Sequence, residues 1–286
     1  MKPAWRRSIR GYLLLPHLVP VLVVELATAT FAVIAWDGFP PARLLVPLLL
    51  AMLGGQLAIG ATNELVDLPS DAVGKPSKPL PSGAVSLRGA RVMTLVGLLL
   101  MIACGLPFGS LAFALLALGT GLGVAYDLWF KQTAWSWLPY LLALPLLPIW
   151  VFTALGRPEP RLLWLYPLGA LATVGVHFAQ ALPDVAIDRQ AGLPTATSRL
   201  GGGPTFLASW MTTLSAPLSS WIAFARLDHA PDISAIAAAA GMTILFLAVN
   251  LTILGLNRRT GFAACFPLVA LSTLINGLAW TITVAP

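Results

Sequence analysis

Residues 60–83 read GATNELVDLPSDAVGKPSKPLPSG. Asn63, Glu64, Asp67 and Asp71 stand within nine positions, and Lys75 and Lys78 follow. The sequence on either side is strongly apolar. Over its 286 residues the chain is 58% hydrophobic and only 10% charged, with a mean hydropathy of +0.84. A soluble domain carries about a quarter charged residues. Charge this sparse cannot cover a water-facing surface, so lipid must be the solvent for most of this chain.

Working outward, residues 44–63, 92–126, 132–156, 162–183, 200–225, 233–257 and 260–286 contain no Asp, Glu, Lys or Arg. A bilayer-spanning helix takes roughly 20 mostly apolar residues. Pro107-Phe108-Gly109 supplies a turn that divides the longest run into two. A further stretch, 12–35, is interrupted only by Glu25 among the acids and bases. The expectation is an all-α membrane protein, one domain over 1–286, with nine spans near 12–35, 43–66, 90–107, 110–126, 136–155, 162–183, 204–225, 233–256 and 262–284. Runs such as LLVPLLLAML lack the period of two that a membrane barrel needs, and backbone in lipid must bond to itself.

The net charge of +6 follows from topology rather than from nucleic-acid binding. With nine spans, the N-terminus and the loops after even-numbered spans share one side. That side carries Lys2, Arg6, Arg7, Arg10, Lys75, Lys78, Arg88, Arg91, Lys131, Arg189, Arg199, Arg258 and Arg259, against four basic residues opposite. The positive-inside rule makes it cytoplasmic, in the cell's inner membrane, with the C-terminus outside. The N-terminal segment reads as a first helix without a cleavable signal. Cys104 and Cys265, both in apolar runs, imply neither a disulfide framework nor a metal site.

Acids do not obey the inside rule, so their placement is informative. Six lie on the cytoplasmic side at the ends of even-numbered spans: Glu64, Asp67, Asp71, Asp127, Asp184 and Asp188. Asp37, Glu159, Asp228 and Asp232 are scattered as solvated turn residues. The two main clusters match in form, Asn63-x3-Asp67-x3-Asp71 and Gln180-x3-Asp184-x3-Asp188. Helices two and six therefore read as equivalents in a pseudo-repeat around a central cavity. Residues at i and i+4 share a helix face, although Pro69 is expected to end or kink the first helix before Asp71. Stacked acids at a helix C-terminus repel one another and the helix dipole. Mg2+, which takes oxygen ligands from one or two carboxylates and substrate phosphates, would hold them together. The neighbouring lysines and arginines would meet the remaining phosphate charge.

On these residues the chain resembles the UbiA superfamily of intramembrane prenyltransferases. The first motif reads NELVDLPSDAVGKPSKPLPSG, the second DVAIDRQAG, and between them stands YDLWFKQT. Glu64 stands where the family most often has Asp, and Lys78 where it most often has Arg. The resemblance implies Mg2+-dependent transfer of an isoprenyl group from an allylic diphosphate to a small acceptor, aromatic or quinone-precursor being the commonest. It implies metal ligation by Asn63, Asp67, Asp71, Asp184 and Asp188. Lys75, Lys78, Lys131, Tyr126 and Arg189 would bind diphosphate. Family members take several kinds of acceptor, and nothing in the residues selects among them.

Glu25 and His177 are candidate acceptor-side residues, and Asp127 could serve metal or acceptor. Asn250 and Asn276 read as interhelical hydrogen-bond partners. Two other readings stay open: a terpene cyclase on the same scaffold, and a transporter or lipid carrier.

Overall fold

The helix that bears the first acid cluster is longer than a bilayer is thick. The computed structural model describes residues 4–190, 192–224 and 233–284, and among these α3 runs unbroken from Ala42 to Gly74. Its 33 residues extend about 50 Å at 1.5 Å each, against a hydrocarbon core about 30 Å thick. The surplus carries Asn63, Glu64, Asp67 and Asp71. Pro69 was expected to break this helix and does not. It costs the helix one N–H donor near its C-terminal end, and the backbone N–H of Lys75 still donates to Asp71 O at 2.8 Å.

Among the described residues seven helical segments are long and apolar enough to cross a membrane: Leu18–Trp36, Ala42–Gly74, Leu87–Phe108, Ser110–Phe130, Pro160–Gln190, Ser234–Leu256 and Arg258–Thr283. The chain divides into two compact units, Met1–Leu128 with Trp150–Pro158, and Trp129–Ile149 with Glu159–Pro286.

In the first unit, α1 (Ala4–Leu14) is separate from α2 (Leu18–Trp36). The sequence reading had merged them into one span from residue 12. The break falls at Pro16 and His17, the latter in left-handed backbone with φ 58°. α3 and α4 (Leu87–Gly105) form a hairpin. It closes on small residues: a Cβ on Gly54 would fall 2.6 Å from Gly97 O, and one on Gly97 2.7 Å from Gly54 O. Such backbone contact is how helices associate where lipid removes the hydrophobic drive. A 3-10 turn, Leu106–Phe108, and Gly109 at φ 96° lead into α5 (Ser110–Ala125), as the Pro-Phe-Gly signal predicted. Arg157 fastens the C-terminal end of α2, donating to Ala35 O at 3.2 Å with its guanidinium 4.6 Å over the Trp36 ring.

In the second unit the expected fifth span is two short helices, α6 (Leu138–Ala143) and α7 (Leu146–Ala154), interrupted at Leu144 and Pro145. α7 itself runs on into the first unit. α8 (Leu165–Ala181) packs on α11 (Gly202–Phe224) through Gly175, whose Cβ would lie 2.6 Å from Ser209 O. Two short helices intervene, α9 (Val185–Gln190) and α10 (Ala196–Leu200). α12 (Ile233–Leu256) and α13 (Arg258–Val284) follow. Asn250 accepts from Trp210 Nε1 at 2.9 Å and donates to Gly261 O at 2.8 Å. Asn276 donates to Thr243 Oγ1 at 2.9 Å. Both asparagines thus serve as the interhelical partners their burial demands. Both cysteines are free thiols. Asp228 and Asp232 lie outside the described residues.

Candidate active site

The C-terminal half of α3 is built around a close approach. Gly60 faces the Pro16–His17 turn so tightly that a Cβ would lie 2.6 Å from Pro16 Cα and 2.7 Å from Pro16 O. One turn further along α3, this brings His17 Nε2 to 3.2 Å from both Asn63 Oδ1 and Glu64 Oε1. Asn63 then donates through Nδ2 to Asp127 Oδ1 at 2.6 Å. Asp127 is buried within a π-helical turn, Tyr126–Phe130, that ends α5. A π-turn adds a residue to the helical circuit, and such turns recur at functional sites.

Glu64 and Asp71 stand two turns apart on one face of α3, and both are buried, at 2% and 6% exposure. Two carboxylates withdrawn from water need a cation. Lys78 supplies it, donating to Glu64 Oε1 at 2.7 Å and Asp71 Oδ2 at 2.6 Å. Burial opposes charge on Lys78, but its hydrogen bonds to Asp71 and Glu64 and their negative charges prevail, holding its pKa above the usual lysine value. Glu64 Oε2 is buried without a hydrogen-bond partner among the described residues. Asp67 is half-buried on the same helix, and Lys75 is exposed just beyond its end.

The second unit carries the second motif differently from the sequence reading. Gln180 and Asp184 were expected on one regular helix face. Instead α8 ends at Ala181, and Leu182–Asp184 is a 3-10 turn around Pro183 before α9 takes up Asp188 and Arg189. Proline cannot donate to the preceding turn, so the regular register is lost between Gln180 and Asp184. Gln180 accepts from Tyr140 Oη at 2.6 Å. Asp184 and Asp188 are half-buried and Arg189 is exposed. Arg189 donates to Arg199 O at 3.4 Å. Lys131 follows the π-turn. His177 is 2% exposed, with Nε2 2.9 Å from Ser136 Oγ and its ring 5.0 Å from that of Tyr140. Glu25 lies on α2 with Oε1 buried and without a hydrogen-bond partner among the described residues.

Comparison with known proteins decides what this array belongs to. The model of the UbiA prenyltransferase family matches residues 23–266. The chain belongs to the UbiA prenyltransferase family. A digeranylgeranylglyceryl phosphate synthase of Methanopyrus kandleri is 29% identical to this UbiA chain over 202 residues, 68% of this chain and 71% of that protein. One from Natronomonas pharaonis is 30% identical over 151 residues, 51% of this chain and 54% of that protein. The solved structure of a UbiA homologue from Archaeoglobus fulgidus bound to GPP and Mg2+ superposes with a TM-score of 0.67 at 18% identity, covering 95% of this chain and 99% of that one. The apo structure of a UbiA homologue from Aeropyrum pernix K1 gives 0.66 at 21% identity, covering 88% and 96%. The UbiA chain is accordingly an enzyme of the prenyltransferase class with an all-helical membrane fold, and the carrier reading falls.

Three residues of this UbiA chain escaped the sequence reading. His17 sits in a stretch that had been read as interrupted by Glu25 alone. The pattern Pro16-His17 ahead of a helix was its available signal. Glu64 had been counted among the clustered acids and noted as a departure from the commoner Asp but given no site role, yet it is the most buried acid of the first cluster. Ser136 had no signal, since its pairing with His177 spans 41 positions.

Proposed function

We propose that this protein transfers an isoprenyl group from an allylic diphosphate to an acceptor held in the membrane, with Mg2+ as cofactor. The observation that carries the reading is the buried pair Glu64 and Asp71 bridged by Lys78 at the end of a membrane helix. An array of acids and a lysine beyond an apolar helix suits a substrate with a charged head and an apolar tail.

The residues fit the metal. Among the described residues no group of three or more His, Cys, Asp or Glu side chains would hold an ion unaided. Mg2+ binds through one or two carboxylates and completes its shell with water and substrate phosphate. The unpartnered Glu64 Oε2 marks unused anionic capacity beside the cluster. Asn63, Asp67 and Asp71 would hold metal on the first motif, and Asp184 and Asp188 on the second. When bound, the metal would neutralise charge developing on the departing diphosphate.

Lys75, Lys78, Lys131, Arg189 and Tyr126 would donate to diphosphate oxygens and stabilise the same charge. The allylic C–O bond breaks and its electron pair leaves with diphosphate. An acceptor lone pair then forms the new bond to the allylic carbon, and the acceptor gives up its proton. Glu25, with a buried oxygen free to accept, would orient the acceptor. His177 and Asp127, both buried polar residues, are assigned to acceptor binding. The apolar helices keep water from quenching the cation.

Relatives named for an acceptor name a glyceryl phosphate, so an ether-forming acceptor of that type takes precedence over the aromatic or quinone-precursor one. The reading includes nine membrane crossings, with Leu138–Ala154 and Gly202–Phe224 as the two beyond the seven long apolar segments. It also includes a cytoplasmic N-terminus in the inner membrane, an outer C-terminus, and a pseudo-repeat relating α3 to α8. The family match runs across both units, which supports one functional domain over 1–286.

The test supplies purified protein with Mg2+, radiolabelled allylic diphosphates of increasing length, and either a glyceryl phosphate ether or a panel of phenolic acids. A labelled ether product, lost in Asp67→Ala and Asp184→Ala, is the expected result. A labelled phenolic product would restore the aromatic acceptor, and a cyclic hydrocarbon formed without acceptor would indicate a cyclase. No diphosphate release with any substrate would refute the reading.

A further inference from the structure

Lys78 lies four residues beyond α3 and is held in place by its backbone. Its N–H donates to Lys75 O and its carbonyl accepts from Ser82 N–H, both at 3.0 Å. Two residues on, Leu80 is buried with Leu15, Ala61, Val85 and Ala90. The lysine's Cα is thus fixed near the acids, and its four-carbon stem reaches back to them. Its side chain is 22% exposed, against 1% for Glu64 and 8% for Asp71. The ammonium caps the two carboxylates from the more open side.

We propose that Lys78 is a tethered counter-ion that occupies the metal-binding Asp71 in the ligand-free protein and competes with Mg2+ for it. The inference rests on Asp71 being a metal ligand. Lys78 takes Asp71 Oδ2 at 2.6 Å, a position no metal ion can share with an ammonium. A metal ion approaching Asp71 must displace Lys78 or settle for its other oxygen. Once displaced, the ammonium is left beside an ion whose remaining coordination positions suit phosphate oxygens. An arriving diphosphate gives it a new anionic partner. Metal alone therefore binds against the lysine, whereas metal with diphosphate binds with it. By linkage, the metal and the diphosphate each strengthen the other's binding. A lysine suits this role better than an arginine: an ammonium is a compact point charge on a flexible stem, whereas the planar guanidinium locks onto carboxylates in a two-pronged fit.

The experiment uses the full chain in detergent with Mn2+ as probe and free Mn2+ measured by electron paramagnetic resonance, without diphosphate. Lys78→Met should bind Mn2+ about tenfold more tightly than wild type, while Lys78→Arg should not. Lys78→Gln replaces Met if that variant does not fold. A second measurement needs no variant: amine-reactive labelling of wild type, read by mass spectrometry as the ratio of Lys78 to exposed Lys75. Mg2+ should raise that ratio several-fold, and potassium at equal ionic strength should not. If Mn2+ binds wild type and Lys78→Met equally and Asp71→Asn abolishes binding, the metal site stands and the counter-ion role is overturned. An unchanged labelling ratio at saturating Mg2+ overturns it as well. If no variant binds Mn2+ at all, the metal reading falls and this inference with it.

Discussion

Replacing Gly60 by alanine should both destabilise the protein and weaken its chemistry, through one contact. The added Cβ would sit 2.6 Å from Pro16 Cα, 2.7 Å from Pro16 O and 2.9 Å from Pro16 C. Ordinary carbon contacts begin near 3.5 Å, so the turn must retreat by about 1 Å. All three obstacles are backbone, so no rotamer change relieves them. Overpacking of this kind costs about 1–3 kcal/mol. Alanine returns about 1 kcal/mol in helix propensity, leaving a net loss of up to about 2 kcal/mol. Gly121, also helical, has nothing within 4 Å of its virtual Cβ, so Gly121→Ala should gain stability where Gly60→Ala loses it. The retreating turn carries His17 away from Asn63 and Glu64, whose contacts are already long at 3.2 Å. Thermal unfolding in detergent reads the first effect, and prenyl transfer against Mg2+ concentration reads the second. If the activity loss runs through His17, Gly60→Ala with His17→Ala should lose no more than His17→Ala alone, as coupled sites do. Equal melting points for Gly60→Ala and Gly121→Ala, with unchanged Mg2+ dependence, would refute the argument.

Asn250→Ala removes the partner of Trp210 Nε1 and of Gly261 O. Stranding the indole N–H should cost about 1–3 kcal/mol, measured by thermal unfolding, with the metal dependence of activity untouched. Ser136→Ala strips the buried His177 Nε2 of its 2.9 Å contact and should destabilise by a similar amount of about 1–3 kcal/mol, whereas Ser136→Thr keeps the hydroxyl and should recover most of it. Glu159 is bound by Arg161 through Nε at 2.8 Å and Nη2 at 2.7 Å, which lowers its pKa from the ordinary 4.5. A depressed carboxylate stabilises above its unfolded pKa and loses that contribution as pH falls through the folded one. The difference in melting point between wild type and Glu159→Gln should therefore be present at neutral pH and vanish in acid.

What the sequence could reveal followed from composition and spacing. Apolar runs between charges located the helices, because lipid leaves the backbone no alternative. The Asn63-to-Asp71 spacing located the acids of α3 because an uninterrupted helix converts spacing into geometry. Wherever a proline or an extra residue intervened, that conversion failed. The reading expected Pro69 to end α3 and passed over Pro183, and the structure shows the reverse effect at each. Pro69 lies in an exposed stretch near the C-terminal end of α3, where one missing N–H donor leaves the rest of the helix intact. Pro183 lies where α8 has already reached its last residues, and the chain turns through a 3-10 segment. Nor did the sequence show that Asp127 is carried on a π-turn, since such a turn has no compositional mark. Contacts across long separations, His17 with Glu64 and Ser136 with His177, depend on packing that no local pattern encodes.

The same reasoning explains why Glu64, rather than an aspartate, can serve at its position in this chain. A buried carboxylate must reach whatever cation the fold offers. Here partners are offered from two directions: His17, on a turn admitted by Gly60, and Lys78, on a turn anchored by Leu80. Glutamate has one methylene more than aspartate, and its Oε1 meets both Nε2 and Nζ. Glu64→Asp would draw the carboxylate back toward α3 by about one carbon–carbon bond, roughly 1.5 Å, beyond hydrogen-bond range of at least one partner. Asp71 would then carry Lys78 alone. If Lys78 is the competitor argued above, a lysine held by one acid instead of two yields to metal more readily. Glu64→Asp should then bind Mn2+ more tightly than wild type while melting at a lower temperature. Opposite signs in those two measurements cannot arise from simple loss of fold, which would lower both.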